Sequence, residues 1–267
     1  MNKNNNNNNK LNQNFVTGFA DAVKKNKSTL AKSSLCTALV VWGKNMSSTV
    51  GEKFTRTESA MVKLPINARA VIVGLLLSDG WLNISSSSRS KNARLGFKQS
   101  LAHSGYLWFV FNLLSHYCSS YPCSTKGIRA GTHTYGLQFL TRSLPCFTEL
   151  HSLFYPNGVK IIPKNIYELL TPIALAHLIM GDGTIWKGSG LVICTNSCSV
   201  QDVVRLMNVL MIRYGLECNL RLKKQNQKIE YMIYIKQRSM PLLRTLVTPY
   251  FHPSMLYKLG INEDNNK

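Results

Sequence analysis

Two aspartates end matching apolar segments of this chain. Asp79 ends VIVGLLLSDG (71–80) and Asp182 ends ALAHLIMGDG (174–183), each directly before the last glycine. The chain is poor in acids, with 12 Asp and Glu against 32 Lys and Arg. Two carboxylates held close together repel each other, but they become ligands when a divalent cation binds them. Carboxylates that act together with substrate phosphates are typical of Mg²⁺, with Mn²⁺ as a substitute, so the pair predicts metal-dependent phosphate chemistry.

The residues around both apolar segments favour helix over strand. Pro65 precedes the first segment, and Thr171-Pro172 offers the second an N-cap followed by proline at the first helical position. Gly80 and Gly183 are expected to end the helices in left-handed turns. A carboxylate at such an end meets the negative end of the helix dipole, an arrangement that costs about 0.3–1 kcal/mol without a cation.

Small side chains recur at intervals of four along the first helix. This stripe predicts that the two helices pack closely against each other. The expected facing stripes are Ala70, Gly74 and Ser78 on the first helix, and Ile173, His177 and Gly181 on the second. With the stripes in contact, Asp79 and Asp182 emerge at the same end of the pair. His177 is interpreted as a core or interface residue that makes the packing less symmetric.

The same succession of elements follows each Asp-Gly. A strand (94–100 or 190–197) is followed by a helix (105–117 or 200–215), a hairpin and a short closing helix near Ser143 or Met240. The hairpins pair residues 124–130 with 134–141, and 218–224 with 229–236. The order α-β-β-α-β-β-α, present twice, predicts an α+β fold of two pseudo-symmetric halves, 63–160 and 161–260. Residues 1–62 are interpreted as an Asn-rich, partly ordered arm, and 261–267 as a polar tail.

The formal net charge of +20 points to a polyanionic partner. Nucleic acid is favoured over a basic surface that serves only solubility, and over an anionic membrane, since no long basic amphipathic helix is present. No apolar run is long enough to cross a bilayer, and LCTALVVWG (35–43) is too short for a secretory signal. The expected partner is therefore a nucleic acid.

The seven cysteines contain no CxxC pair. An odd number without zinc-like spacing indicates reduced, mostly buried thiols in an intracellular compartment. Cys194 and Cys198 with His177 form the best candidate for a thiolate metal site, but zinc sites favour tighter paired spacing. We therefore expect no such metal site.

IVGLLLSDG (72–80) and LAHLIMGDG (175–183) resemble the two signature helices of the LAGLIDADG homing endonucleases, in particular single-chain enzymes encoded in fungal mitochondrial introns. The resemblance extends over nearly all of residues 63–260, and Leu77 and Met180 depart from it at a variable acidic position. It implies two antiparallel sheets that form a DNA-binding saddle and metal ions bound by Asp79 and Asp182. It also implies hydrolysis of both strands across the minor groove, leaving short 3′ overhangs, by a monomer in the mitochondrion.

The resemblance also implies further site residues. A polar side chain on the second strand of each half corresponds to Gln99 and Asn196, and a catalytic lysine on each later hairpin to Lys126 and Lys228. Rivals for the lysine role are Arg129, Lys223 and Lys224. Arg and Lys pair with guanine and Gln with adenine, so sheet residues are candidates for contacts to base edges or to the DNA backbone. These candidates are Arg94, Lys98, Gln138, Arg142, Arg221, Lys236 and Arg238.

Two alternatives use the same fold without cleavage. One is an RNA maturase that helps its host intron to splice, and the other is a DNA-binding regulator. Intact Asp79 and Asp182 favour the nuclease, since binding alone does not need them. Endonuclease and maturase activities can also coexist in one protein.

Overall fold

The computed structural model describes residues 49–85, 91–129, 131–186, 190–195, 198–225 and 228–261. The Asn-rich run, the apolar segment 35–43, the polar tail after residue 261 and Asn196 lie outside these ranges. No helix within them is long and apolar enough to cross a membrane.

The helices and strands of the described ranges follow the repeated order expected from the sequence. The helices are α1 (Arg56–Met61), α2 (Ile66–Leu77), α3 (Ser104–Leu114), α4 (Pro145–Phe154), α5 (Ile166–Leu169), α6 (Pro172–Asp182), α7 (Val200–Tyr214) and α8 (Met240–Val247). The strands are β1 (Trp81–Asn83), β2 (Arg94–Ser100), β3 (Cys123–Arg129), β4 (Thr132–Leu140), β5 (Gly183–Ile185), β6 (Leu191–Cys194), β7 (Cys218–Gln225) and β8 (Lys228–Ile235).

The strands form two antiparallel four-stranded sheets of the same topology. The first has the order β1-β2-β4-β3, and the second has the order β5-β6-β8-β7. This arrangement confirms the α+β fold with two pseudo-symmetric halves. The sequence pattern did not locate β1 and β5, because three residues directly after an Asp-Gly are too few to show an alternation.

Each sheet buries one face and leaves the other outward. In the first sheet α3 packs on β2 and β4, and in the second α7 packs on β7 and β8. The buried side chains alternate along the strands and include Leu95, Phe97 and Phe139 in the first sheet, and Ile193, Ile233 and Ile235 in the second. Because successive side chains point to opposite faces, the intervening polar residues lie on the outward face.

Helices α2 and α6 pack backbone to backbone, as their stripes of small side chains predict. A Cβ atom at Gly74 would lie 2.4 Å from the Ala174 carbonyl oxygen and 2.6 Å from the His177 Cβ. A Cβ atom at Gly181 would lie 2.5 Å from the side chain of Ser78. Ala174, rather than Ile173, is the residue nearest to Gly74. His177 fits because Gly74 leaves space for it.

The two Asp-Gly glycines have a different role from the one expected. Neither Gly80 nor Gly183 has a positive φ, and Gly183 is extended, with φ −76° and ψ 144°. A Cβ atom at Gly80 would lie 2.9 Å from the Leu75 carbonyl oxygen, and one at Gly183 would lie 2.6 Å from that of Ile179. The prediction of left-handed turns was therefore wrong, and glycine is needed because the chain turns back closely over the last helical turn.

We expect Gly74→Ala to destabilise the protein by about 1–3 kcal/mol, the usual cost of overpacking a tight contact. The added methyl group would meet the backbone of α6, which cannot rotate away as a side chain can. Thermal unfolding measures the effect. Gly105→Ala, where the nearest atom is the His252 ring at 3.2 Å, serves as the helical control and should be neutral or slightly stabilising. Equal melting temperatures of Gly74→Ala and wild type would contradict the close approach.

Arg142, which was predicted to contact DNA, holds the segment that precedes α1. Its guanidinium group donates to the backbone carbonyls of Thr49 at 2.6 Å, Glu52 at 2.9 Å and Cys118 at 2.6 Å. It also lies 4.0 Å from the centre of the Phe54 ring. Because these contacts occupy its donors, the structure assigns Arg142 to internal packing instead of base contact. Residues 49–54 therefore belong to the folded body, although the first half was expected to begin only at residue 63.

Candidate active site

Asp79 follows the end of α2 and is held by the adjacent sheet. The Nε2 atom of Gln99, on β2, donates to the Asp79 Oδ2 atom at 2.6 Å. The same oxygen lies on the α6 side, 3.4 Å from where a Cβ atom of Gly181 would be. Gln99 therefore fixes the orientation of one carboxylate at the junction of the two helices.

Asp182 is the last residue of α6, and the charge of Asp79 acts on its carboxyl group. Burial, followed by the charge of Asp79, raises the pKa of the Asp182 carboxyl to about 7. A raised pKa means that the ionised form is unfavourable in this environment. The structure thus brings the two predicted carboxylates together at the end of the helix pair, where ionisation of Asp182 is disfavoured.

Two lysines approach the carboxylates, one from each half. The Nζ atom of Lys160, which follows α4, donates to the carbonyls of Ser78 at 3.1 Å and Gly80 at 2.9 Å. The Nζ atom of Lys258, in a 3₁₀ segment (Pro253–Leu259), donates to the carbonyl of Gly181 at 2.5 Å. Each ammonium group therefore lies at the carbonyl end of a signature helix, where the helix dipole favours a cation.

Both lysines are electrostatically coupled to both aspartates. Burial lowers the pKa of Lys160, whereas Asp182 and, more weakly, Asp79 raise it. Burial also lowers the pKa of Lys258, and there Asp79 precedes Asp182 among the opposing charges. Each lysine thus interacts most strongly with the aspartate of the other half. The four groups form one cluster across the helix interface.

The donor set of this cluster fits a divalent cation. Among the described residues no group of three or more His, Cys, Asp and Glu could enclose a metal. Asp79 and Asp182 together provide carboxylate oxygens and leave the remaining positions to water and phosphate, which is the mode of binding typical of Mg²⁺. The raised pKa of Asp182 supports the fit, since a bound cation would favour the ionised form.

The second half carries a different residue at the position of Gln99. Phe97 pairs with Phe139 and Ile193 pairs with Ile233, and all four are buried. Gln99 lies two residues after Phe97 on β2. Its counterpart is therefore Thr195, which lies two residues after Ile193. The Thr195 hydroxyl donates to the Tyr231 carbonyl at 2.5 Å instead of to Asp182. Sequence matching assigned this role to Asn196, one residue further along and outside the described residues.

The lysines predicted on the hairpins lie elsewhere. Lys126 is exposed and lies 6.0 Å from the centre of the Tyr135 ring. Lys228 pairs with Gln225 at the tip of its hairpin, four residues from Met232, about 13 Å along the strand. Met232 is the partner of Cys194, the last residue of β6. The structure therefore brings Lys160 and Lys258 to the two aspartates, whereas Lys126 is exposed and the backbone of Lys228 lies at a hairpin tip.

The sequence contained only a weak signal for the lysines that reach the cluster. Each follows the closing helix of its half and stands among apolar residues, in VKIIP (159–163) and LYKLG (256–260). A single lysine in an apolar stretch is common in a chain with 32 basic residues. The equivalence of the two lysines can be recognised only in the structure, where each follows its closing helix, α4 or α8, and lies at the end of α2 or α6.

Several predicted DNA contacts lie on the outward faces of the sheets. Lys98 pairs with Gln138, and both lie on the face opposite Phe97 and Phe139, as does Arg94. A groove of about 470 Å³ joins Lys98 to Asp79 and is also lined by Gln99 and Tyr135.

In the second sheet the predicted contacts differ in their surroundings. Arg221 lies on the outward face, where it pairs in register with Met232. Lys236 and Arg238 instead form ion pairs with Glu217, the former at 3.2 Å. These two side chains are therefore less free to contact DNA than Arg221.

His177 is a buried packing residue, as interpreted from the sequence. It is 1% exposed, and its Nδ1 atom shares a hydrogen bond of 2.9 Å with the Tyr106 hydroxyl. Burial lowers the pKa of His177 to about 3, so the imidazole is neutral at physiological pH. It also stacks on the Phe109 ring. Its Nδ1 atom is satisfied by the Tyr106 hydroxyl.

The repeated fold and the paired aspartates define the class of protein. The model of the LAGLIDADG DNA endonuclease family matches residues 69–243, which is most of the described chain. The chain therefore belongs to the LAGLIDADG DNA endonuclease family.

Particular relatives show which members it resembles. The chain is 33% identical over 207 residues to the cytochrome b mRNA maturase bI2 of Saccharomyces cerevisiae, an alignment that covers 74% of this chain and 48% of that protein. It thus spans about half the length of that relative. It is 29% identical over 211 residues to the DNA endonuclease I-ChuI of Chlamydomonas applanata, covering 74% of this chain and 94% of that protein.

A solved structure resembles the fold directly. The homing endonuclease I-WcaI bound to its DNA recognition sequence superposes with a TM-score of 0.67 at 26% identity. The superposition covers 75% of this chain and 89% of that chain. The shared region includes both halves, since three quarters of the chain exceeds either half alone.

Proposed function

We propose that this protein is a site-specific endonuclease that cuts both strands of a DNA target by metal-dependent hydrolysis, with one aspartate from each half. The observation that carries the proposal is the convergence of Asp79 and Asp182 at the ends of two closely packed helices. A binding protein has no need of two mutually repelling carboxylates beside two partly buried lysines. The resemblance to I-WcaI, solved with its DNA recognition sequence, supports DNA as the substrate.

The residues of the cluster divide the chemistry between them. Asp79 and Asp182 would hold Mg²⁺, or Mn²⁺ in its place, against the scissile phosphates. When bound, the cation stabilises charge on the attacking and leaving oxygens of an in-line displacement. Gln99 holds Asp79 in one orientation, so that no rotation is required on binding. Lys160 and Lys258 keep positive charge beside the reacting phosphates, where it offsets the negative charge that develops in the transition state.

The outward faces of the sheets are proposed to bind the DNA around this cluster. The net charge of +20 favours contact with many phosphates, while Lys98, Gln138 and Arg221 lie where base edges would be read. Both halves are in one chain, so a monomer presents two sheets to one duplex. The target is therefore expected to be long and without strict two-fold symmetry.

A maturase role is the second candidate, and the names of two relatives support it. The cytochrome b mRNA maturases bI2 of Saccharomyces cerevisiae and Debaryomyces hansenii are 33% and 32% identical to this chain. These names also support expression in the mitochondrion from an intron of its host gene. The carboxylates at the helix ends still favour cleavage, because RNA folding does not require them.

Cleavage and splicing assays separate the two candidates. The substrate for the first is a plasmid that carries the intronless cytochrome b junction, incubated with the full chain and Mg²⁺. The expected result is a linear product with short 3′ overhangs and no product in EDTA. The second assay follows splicing of the intron RNA with and without the protein. Faster splicing with no cleavage of any intronless junction would replace the nuclease by the maturase.

A further inference from the structure

An arginine and two aromatic side chains form a cation–π group on the outward face of the second sheet. The guanidinium carbon of Arg221, on β7, lies 3.8 Å from the centre of the Tyr234 ring on β8 and 4.6 Å from that of Trp186, which follows β5. The two rings are perpendicular, with their centroids 6.4 Å apart. Two aromatic side chains from separate strands therefore hold one arginine.

This group faces solvent and serves no core. Ile233 and Ile235, on either side of Tyr234 in sequence, are fully buried, so Tyr234 itself points outward. Trp186 remains 49% exposed despite its contact with the arginine. A half-exposed tryptophan on a basic surface contributes less to folding stability than a buried one, because an apolar side chain stabilises the fold in proportion to the area that it removes from water.

The donors of Arg221 remain available. Among the described residues no ion pair and no hydrogen bond engages its guanidinium group, in contrast to Arg142, Arg205 and Arg213. The rings hold the guanidinium group by their faces, an interaction of about 0.5–1 kcal/mol at an exposed site. The two cation–π contacts restrict the movement of the group without using its N–H donors in hydrogen bonds. An arginine held in this way loses less conformational entropy on binding than a free one.

A fixed, planar set of donors suits a base edge better than a phosphate. Guanine offers the O6 and N7 acceptors side by side in the major groove, and arginine binds both at once. A phosphate can also accept a bidentate arginine, but it accepts hydrogen bonds from many directions, and a mobile lysine binds it as a point charge. The contact of two aromatic rings with one arginine therefore points to recognition of a base edge.

The first sheet has no such group. From the repeat register, the counterparts of Arg221, Tyr234 and Trp186 are Cys123, Leu140 and Asn83. None of these residues provides a cation or an aromatic ring. The device belongs to the second half alone, and its effect on specificity should be confined to one half of the target.

We propose that Arg221 reads a guanine in the half of the target bound by the second sheet, and that Trp186 and Tyr234 are positioning residues that fix its guanidinium plane. This inference rests on the proposed function in so far as DNA is the substrate. It does not depend on cleavage.

Selection from a pool of random DNA duplexes tests the inference by binding in EDTA, where cleavage does not occur. Wild type should select a site with guanine at one position of one half. Arg221→Lys keeps the charge but loses the paired N–H donors of the guanidinium group. Its preference for that guanine should fall about 5- to 150-fold, with the base preferences at the other positions of the site unchanged. Trp186→Ala and Tyr234→Leu should weaken the same preference, whereas Trp186→Phe and Tyr234→Phe should retain it.

Lys223→Ala is the matched control, since Lys223 is an exposed cation on the same face. It should weaken binding to all sequences equally. Loss of affinity in Arg221→Lys without a change at any single base would overturn the inference, as would a selected site without a guanine that depends on Arg221. Cleavage of the selected DNA in Mg²⁺ is then measured separately. A wild type that selects the guanine but does not cut would refute the nuclease and leave the readout in place.

Discussion

Asp79→Asn and Asp182→Asn are each expected to abolish double-strand cleavage while leaving the protein folded and able to bind DNA. Asparagine keeps the size of the side chain but removes the charge that would hold a divalent cation. Loss of such a group should slow cleavage on the order of 10³-fold, the upper range for removal of one electrostatic contact in an active site. Single-turnover cleavage of a supercoiled plasmid distinguishes the outcomes, because a nicked circle is the most that either variant should form.

Thermal unfolding provides a second measurement of the same pair. In EDTA, Asp182→Asn should melt at or above the wild-type temperature, because a partly buried carboxyl with a raised pKa is replaced by a neutral group. Addition of Mg²⁺ should stabilise the wild type, by about 2.7 kcal/mol when the free ion is at 100 times its Kd. Each variant should lose most of this gain. Undiminished cutting by either variant, with its metal-dependent stabilisation intact, would remove that aspartate from the catalytic centre.

The aspartates could be predicted from the sequence because their signal is repeated. Each stands at the end of an apolar helix, and the small residues along α2 and α6 determine which faces meet. Gly74 and Gly181 are informative for a physical reason, since no other residue fits within 2.4–2.6 Å of a facing helix. Pattern, spacing and chemistry thus point to the same arrangement, and the structure shows it.

The lysines and the second polar residue could not be placed in this way. A shift of one residue along β6 exchanges Thr195 for Asn196, and a shift of one residue reverses the face of a strand. The register of Ile193 with Ile233 makes Thr195 the counterpart of Gln99, whereas Asn196 lies outside the described residues. Arg142 shows a related limit, because its partners Thr49 and Glu52 lie about 90 residues away in a segment that was expected to be a partly ordered arm.

Lys160→Met and Lys258→Met should each slow cleavage about 10²- to 10³-fold without a comparable loss of DNA binding. Each lysine is coupled to both aspartates, so cutting of both strands should suffer, whereas an aspartate variant can retain one nick. Methionine preserves the length and the apolar stem of lysine. It leaves the carbonyls of Gly80 or Gly181 without their donor, a loss of about 1–3 kcal/mol in stability that melting curves will show.

Variants of the hairpin lysines Lys126 and Lys228 allow a direct comparison between the two candidate pairs of catalytic lysines. Lys126→Met and Lys228→Met remove the same charge from β3 and β8, and their cleavage rates under saturating protein should stay near that of wild type. Their binding should weaken slightly and equally for all sequences, as expected for loss of one phosphate contact. If Lys126→Met and Lys228→Met abolished cleavage while Lys160→Met and Lys258→Met cut normally, the hairpin assignment would be right. The cluster beneath α2 and α6 would then be a structural cap, in which buried cations only neutralise the carbonyl ends of two packed helices.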